Sequence, residues 1–263
     1  MHRINTTPNH SARSFHCADA ARLAAATDNA ITSALRRVGS EAIDWNRRSG
    51  SMLDTARLAF AAYPDARIFG RIDRGNEGKP ALGVTVLIDS SGSMSSPCKA
   101  NGVAFDSRRT AARAIAAGIA QSAQRLGLGC VLGHHGADTS VRLQAHRTTV
   151  GALNGAQYGS NLDAWAVNDW LSMVALPAER NLFVLVCDGA PCGTPSEHRE
   201  QAVRALGRLE RTGDQFILAY IGDDQRGLDS AHLDWGALRV ADCRDNIGAL
   251  TQVVIRAVAR LRR

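Results

Sequence analysis

Hydrophobic positions along the chain fall into two regimes that meet near residue 80. From Ala81 onward, short unbroken apolar runs alternate with longer stretches of helical period. Gly83-Val84-Thr85-Val86-Leu87-Ile88, Leu182-Phe183-Val184-Leu185-Val186-Cys187 and Phe216-Ile217-Leu218-Ala219-Tyr220-Ile221 are runs of this kind. Such a run suits a strand buried on both faces, as in a parallel sheet covered by helices. Cys130-Val131-Leu132, residues 139–143 and Leu238-Arg239-Val240 read as further strands. Residues 109–126 set Ile115, Ile119 and Leu126 on one helical face and stop at Gly127. Residues 162–174 and 197–209 are helical, and 246–261 form a closing amphipathic helix. Strands alternating with helices predict an α/β fold with a doubly wound, mostly parallel, Rossmann-like sheet.

Residues 1–80 read differently, as an N-terminal, mainly helical extension of a domain spanning 81–263. Residues 17–38 are Ala-rich, with Leu23, Ala26, Ile31 and Leu35 at helical spacing and Gly39 as a stop. Ser51 stands three residues before Asp54 and ahead of Ala56-Arg57-Leu58-Ala59-Phe60, which suits a short capped helix ending before Pro64. Residues 67–72 suit a strand, and 75–80 a turn or linker.

Composition narrows the class. The 263 residues are 45% hydrophobic and 21% charged, as in a water-soluble globular protein. No 18-residue apolar stretch predicts a membrane span, and the polar start of the chain has no secretory apolar region. Six scattered cysteines make no disulfide framework and suit reduced thiols in a cytoplasm. The net charge of +6 owes part to Arg256, Arg260, Arg262 and Arg263. Cations at a helix C-terminus oppose its dipole, which is the favoured reading over a nucleic-acid patch.

Polar residues gather where strands end, and in an open α/β sheet ligands bind beyond the carboxyl ends of the strands. The first run leads into Asp89-Ser90-Ser91-Gly92-Ser93-Met94, a later run leads into Asp188-Gly189, and Tyr158-Gly159-Ser160-Asn161 precedes a helix. Asp89, Ser91, Ser93, Ser160 and Asp188 thus make a candidate metal site of hard oxygens, the donors that Mg²⁺ or another divalent ion such as Mn²⁺ takes. Gly92 lets the turn close tightly. A shell dominated by neutral hydroxyls leaves the cation able to attract a carboxylate from a partner.

Other features read more plainly. Asp163 suits an outer-shell ligand or ion-pair partner, or a helix N-terminal acid. His134-His135 after a strand could bind a transition metal, but the pair lacks a third placed ligand and reads as structural or exposed. Cys187 and Cys192 read as a buried strand residue and a loop thiol, and Asp223-Asp224 as a turn, with tuning of the site's charge the less favoured alternative. Enzyme signatures are missing: Gly78-Lys79 lacks the phosphate-loop pattern, Gly127-Leu128-Gly129 precedes a strand, and Ser91 sits in no nucleophile elbow. No ATPase or hydrolase motif of its own is read from the sequence.

Asp89-x-Ser91-x-Ser93 after a buried strand resembles the metal-ion-dependent adhesion site of von Willebrand factor A (VWA) domains. Asp188 matches the later strand-end Asp of that family, and Ser160 stands where the family usually has Thr. The resemblance covers residues 81–263 and implies a VWA fold. Residues 51–58, 88–94, 161–166 and 186–191 are similar to the C-terminal region of cobaltochelatase CobT subunits, including short CobT-like proteins of phages and prophages. What this implies is a Mg²⁺-dependent docking module coupled to an AAA+ ATPase of the chelatase or MoxR-like type, through an acidic residue that completes the metal site. Alternatives are a cobaltochelatase subunit for metal insertion into a corrin ring in cobalamin biosynthesis and, less favoured, a nucleic-acid-associated VWA protein.

Overall fold

A computed structural model describes residues 18–39, 43–47, 52–53, 69–72, 82–135, 144–146, 162–173, 178–189 and 191–261. Its centre is a six-stranded sheet made of β4 (Leu82–Asp89), β7 (Gly129–His135), β8 (Gln144–His146), β9 (Arg180–Cys187), β10 (Gln215–Tyr220) and β11 (Val240–Asp242), in the order β11-β10-β9-β4-β7-β8. Neighbours run parallel except β8, which pairs antiparallel with β7. The apolar runs predicted as strands are therefore the buried centre of a doubly wound sheet, with helices on both faces.

Side-chain alternation divides the core in two. Val84, Val86, Ile88, Val184 and Val186 face α1 (Ala18–Gly39), α2 (Arg108–Arg125) and α6 (Gly248–Leu261). Leu87, Phe183, Leu185, Cys187 and Leu218 face α3 (Asp163–Met173), α4 (Pro195–Thr212) and α5 (Gln225–Trp235). The chain leaves β4 toward β7 on one side and leaves β9 toward β10 on the other. Strand order thus reverses between β4 and β9, the switch point at which such sheets bind ligands.

Caps set where the helices begin and end. Ser107 accepts a hydrogen bond from the Thr110 amide at the start of α2, and Asp224 accepts one from the Gly227 amide at the start of α5. Gly213, left-handed at φ 76°, ends α4.

Helix α2 is buried almost all round, which explains its run of small residues. Its Ala and Ile side chains meet the sheet on one side, and α1 covers the other. A β-carbon at Gly118 would lie 2.4 Å from the Ala24 carbonyl oxygen, so only glycine permits this approach. Asp28 of α1 pairs with Arg125, and Ser122 Oγ lies 2.9 Å from the Asp28 carbonyl and 3.0 Å from Asp28 Oδ1. The first helix therefore shares the core of the sheet domain.

Several elements differ from expectation. The N-terminal region also holds an antiparallel sheet of β1 (Ile43–Arg47), β3 (Phe69–Ile72) and β2 (Met52–Leu53), ordered β1-β3-β2. Met52 and Leu53 are strand instead of the first turn of a helix, and the rest of that expected helix lies outside the described residues. The expected strand at 139–143 also lies outside them, whereas β8 follows it. The predicted strand at 130–132 continues to His135. Helix α5 and the hairpin β5 (Cys98–Ala100) and β6 (Val103–Phe105) were not predicted. Asn101 and Gly102 turn that hairpin with φ 50° and 77°, the paired left-handed conformation that Asn-Gly favours.

Candidate metal centre

Three strand ends and two helix starts meet at the switch point. Asp89 ends β4, and its in-register neighbour on β7 is His135. Ser90 donates its amide to the His135 carbonyl at 2.8 Å, which ties the two strand ends together. Position 89 continues the alternation that places Leu87 on the α3–α5 face. Asp163, in the first turn of α3, comes over that same face, and its Oδ1 lies 2.9 Å from His135 Nε2. That approach lies off the direction of a ring N–H, so the contact is electrostatic and leaves the imidazole nitrogens without a well-formed hydrogen bond. Asp89 and His135 are 0% exposed and Asp163 1%.

The ligand atoms of Asp89, His135 and Asp163 all lie within 4.8 Å of one another, and the group could hold a metal ion. Its electrostatics are those of crowded acids. Burial, then Asp163 and Asp188, push Asp89 up to about 8, against the opposing pull of His135 and the Ser91 amide. Burial alone would lower His135, but Asp163, Asp89 and Asp188 together raise it above the ordinary histidine value. Burial would raise Asp163, but His135 outweighs it and holds the carboxyl below the ordinary range, helped by the Cys187 thiol.

The serine loop rises above this group. Ser91 donates its amide to Asp89 Oδ1 at 2.7 Å, fixing the carboxylate. Ser91 Oγ and Ser93 Oγ stand 3.0 Å apart. A single turn of 3-10 helix, Gly92–Ser95, follows and buries Met94.

Asp188 leaves the end of β9 and meets α2 instead. Arg108 Nη1 donates to Asp188 Oδ2 at 2.8 Å and lies 3.3 Å from the Ser93 carbonyl, while Nη2 pairs with Asp223. Gly189 follows at φ 68°, where a β-carbon would stand 2.5 Å from the Gly227 carbonyl. Asp188 is thus held by a protein cation, and its charge still acts on Asp89 and His135.

Of the five sequence-derived ligands, Asp89, Ser91, Ser93 and Asp188 lie at this edge, and Ser160 lies outside the described residues. Arg108 was missed as a site residue, and His135 was weighed as a transition-metal ligand but set aside for want of a third ligand. His135 was legible in part: β7 pairs in register with β4, so a polar residue beside Asp89 falls at the same edge. Arg108 carried no local signal, because its partners lie 80 and 115 positions away. The pair His134-His135, read as structural or exposed, is buried. Cys187 is buried and Cys192 exposed, and Asp223 and Asp224 are an ion-pair partner and a helix cap.

The fold and site define a doubly wound α/β protein with an acidic cluster at its switch point. No family model matches the chain, and no curated protein matches its sequence.

Proposed function

We propose that the chain is a divalent-cation-dependent docking module of the VWA type, in which Asp89, Ser91 and Ser93 hold Mg²⁺ and a partner's carboxylate completes the site. The observation that carries this reading is the spacing of the two hydroxyls, 3.0 Å between Ser91 Oγ and Ser93 Oγ. Adjacent oxygens on an octahedral ion with bonds of about 2.0–2.1 Å stand about 2.9 Å apart, so the pair is spaced as neighbouring ligands. The donors are hard oxygens on a turn that the Ser91 amide anchors to Asp89, and Mn²⁺ accepts the same set. Ser160 is proposed as a third hydroxyl. Asp188, held by Arg108, would act on the ion through its charge.

The ion supplies an electrophilic point that the neutral hydroxyls leave incompletely neutralised, and an incoming carboxylate is drawn to it. The proposed partner is an AAA+ ATPase of the chelatase or MoxR-like class, a choice supported by the CobT-like stretches. Co-purification with such an ATPase, in Mg²⁺ and in EDTA, tests the reading. Association lost in EDTA and in Asp89→Ala is the expected result. Association that survives both rejects metal-dependent docking.

A further inference from the structure

We infer that Asp89, His135 and Asp163 form a binding site for a divalent first-row transition-metal ion, buried on the α3 side of the sheet edge. The inference does not rest on the docking reading, although both employ Asp89. It begins from the donor set. Mg²⁺ takes oxygen ligands, whereas one imidazole with two carboxylates is a mixed nitrogen and oxygen set of the kind that holds Zn²⁺, Mn²⁺ or Fe²⁺.

Geometry and charge agree with that chemistry. The three ligand atoms converge within 4.8 Å. His135 Nε2 and Asp163 Oδ1 stand 2.9 Å apart without the alignment of a hydrogen bond. Two adjacent ligands on an octahedral ion with bonds of about 2.0–2.2 Å stand about 2.8–3.1 Å apart, against about 3.3–3.6 Å on a tetrahedral one, so the spacing suits Mn²⁺ or Fe²⁺ better than tetrahedral Zn²⁺. As ligands, two carboxylates and a neutral imidazole would bring two negative charges to a dry environment, which one divalent ion neutralises.

The scaffold is also suited to hold an ion. The ligands come from the ends of two hydrogen-bonded strands and the first turn of a helix, elements more rigid than loops. Beyond them, the buried Cys187 ends β9 beside Asp163, and its thiol helps hold that carboxyl low. Such outer contacts orient a ligand and tune its affinity for metal.

Cobalt and manganese uptake by the purified full-length protein tests the site. After stripping with EDTA and refolding with Co²⁺, visible absorption is expected to report one bound ion per chain. His135→Gln and Asp163→Asn should each weaken Co²⁺ binding by at least about 100-fold, the loss of a ligand costing no less than the loss of its outer contact. Glu200→Gln, an exposed acid on α4, should leave it unchanged. A variant that fails to fold is bypassed by pulsed electron paramagnetic resonance on the Mn²⁺-loaded parent protein, where modulation from a directly bound imidazole nitrogen is expected. Bound Mn²⁺ without that nitrogen signal overturns the inference, as does a folded protein that takes up no Co²⁺. Calorimetry with Mg²⁺ in parallel keeps the two readings apart: Mg²⁺ binding without Co²⁺ uptake rejects this site alone, and Co²⁺ uptake without Mg²⁺ binding rejects the serine-loop site alone.

Discussion

Asp89 is fully buried beside two further carboxylates, and burial with those neighbours raises it from 3.8 to about 8. The unfolded chain gives up this proton near 3.8, whereas the folded, metal-free chain keeps it to about 8. Between those values the native state binds the extra proton, so rising pH favours unfolding. The stability tied to protonated Asp89 is full below 3.8 and lost as pH rises through about 8. In metal-free protein the urea midpoint of the parent is expected to fall relative to that of Asp89→Asn as pH goes from about 5 to about 8. Parallel curves would place Asp89 among the ionised groups of the fold. Arg108 poses the complementary case, a buried cation that answers a buried anion. Its side chain is 11% exposed and that of Asp188 0%, whereas Asp223 is 60% exposed. Arg108→Ala should cost about 3–5 kcal/mol, because it strands Asp188 without its cation. The Asp223 end contributes about 0–1 kcal/mol. Adding Asp188→Asn should recover part of the loss, and denaturant unfolding of the four proteins in a double-mutant cycle measures the coupling.

Helices α1 and α2 show how an element can be legible while its packing is not. The apolar spacing at Leu23, Ile31 and Leu35 marks a helix with one buried face, and the structure places it at Ala18–Gly39. What that face meets depends on Gly118, whose missing side chain admits the Ala24 backbone. Gly118→Ala gains about 1 kcal/mol in helix propensity. It also drives a β-carbon to 2.4 Å from a carbonyl oxygen that cannot swing aside, and overpacking of this kind costs about 1–3 kcal/mol. The clash should win, lowering the thermal midpoint and making α1 more open to proteolysis. A midpoint that rises would show the two helices free to separate. Elsewhere the buried strands at 82–89 and 180–187 were legible because unbroken apolar runs have one economical arrangement. Helix α5 was not. Gln225–Trp235 buries Leu228, Ala231 and Trp235 against α4 and β10, a short face that only its neighbours make apolar enough to pack.

At the scale of the molecule, α1, α2 and α6 make one side of the core and α3, α4 and α5 the other. Removing residues 1–39 would expose the outer face of α2 and the part of α6 that α1 covers. Large newly exposed apolar surface favours association, so the truncated chain should elute as aggregates in size-exclusion chromatography and melt earlier than the full chain. A monomeric truncation with an unchanged midpoint would mean that α1 only decorates the sheet domain. The alternation of apolar runs and helical periods determined the fold class, because each pattern buries its apolar face in one kind of layer. The residues at strand ends, Asp89, Ser91, Ser93 and Asp188, were visible for the same reason: a buried strand that ends in polar residues presents them at the sheet edge. Tertiary structure alone decided which of them act together. Strand order put β7 beside β4, and register set His135 against Asp89. Alternation turned Asp89 toward Asp163, while Arg108 drew Asp188 toward α2. Pairings across tens of positions depend on how the sheet is wound, and no local pattern of residues encodes that winding. The candidate metal edge was thus legible as a place, and its division between an oxygen loop and a buried Asp–His–Asp group came from the fold.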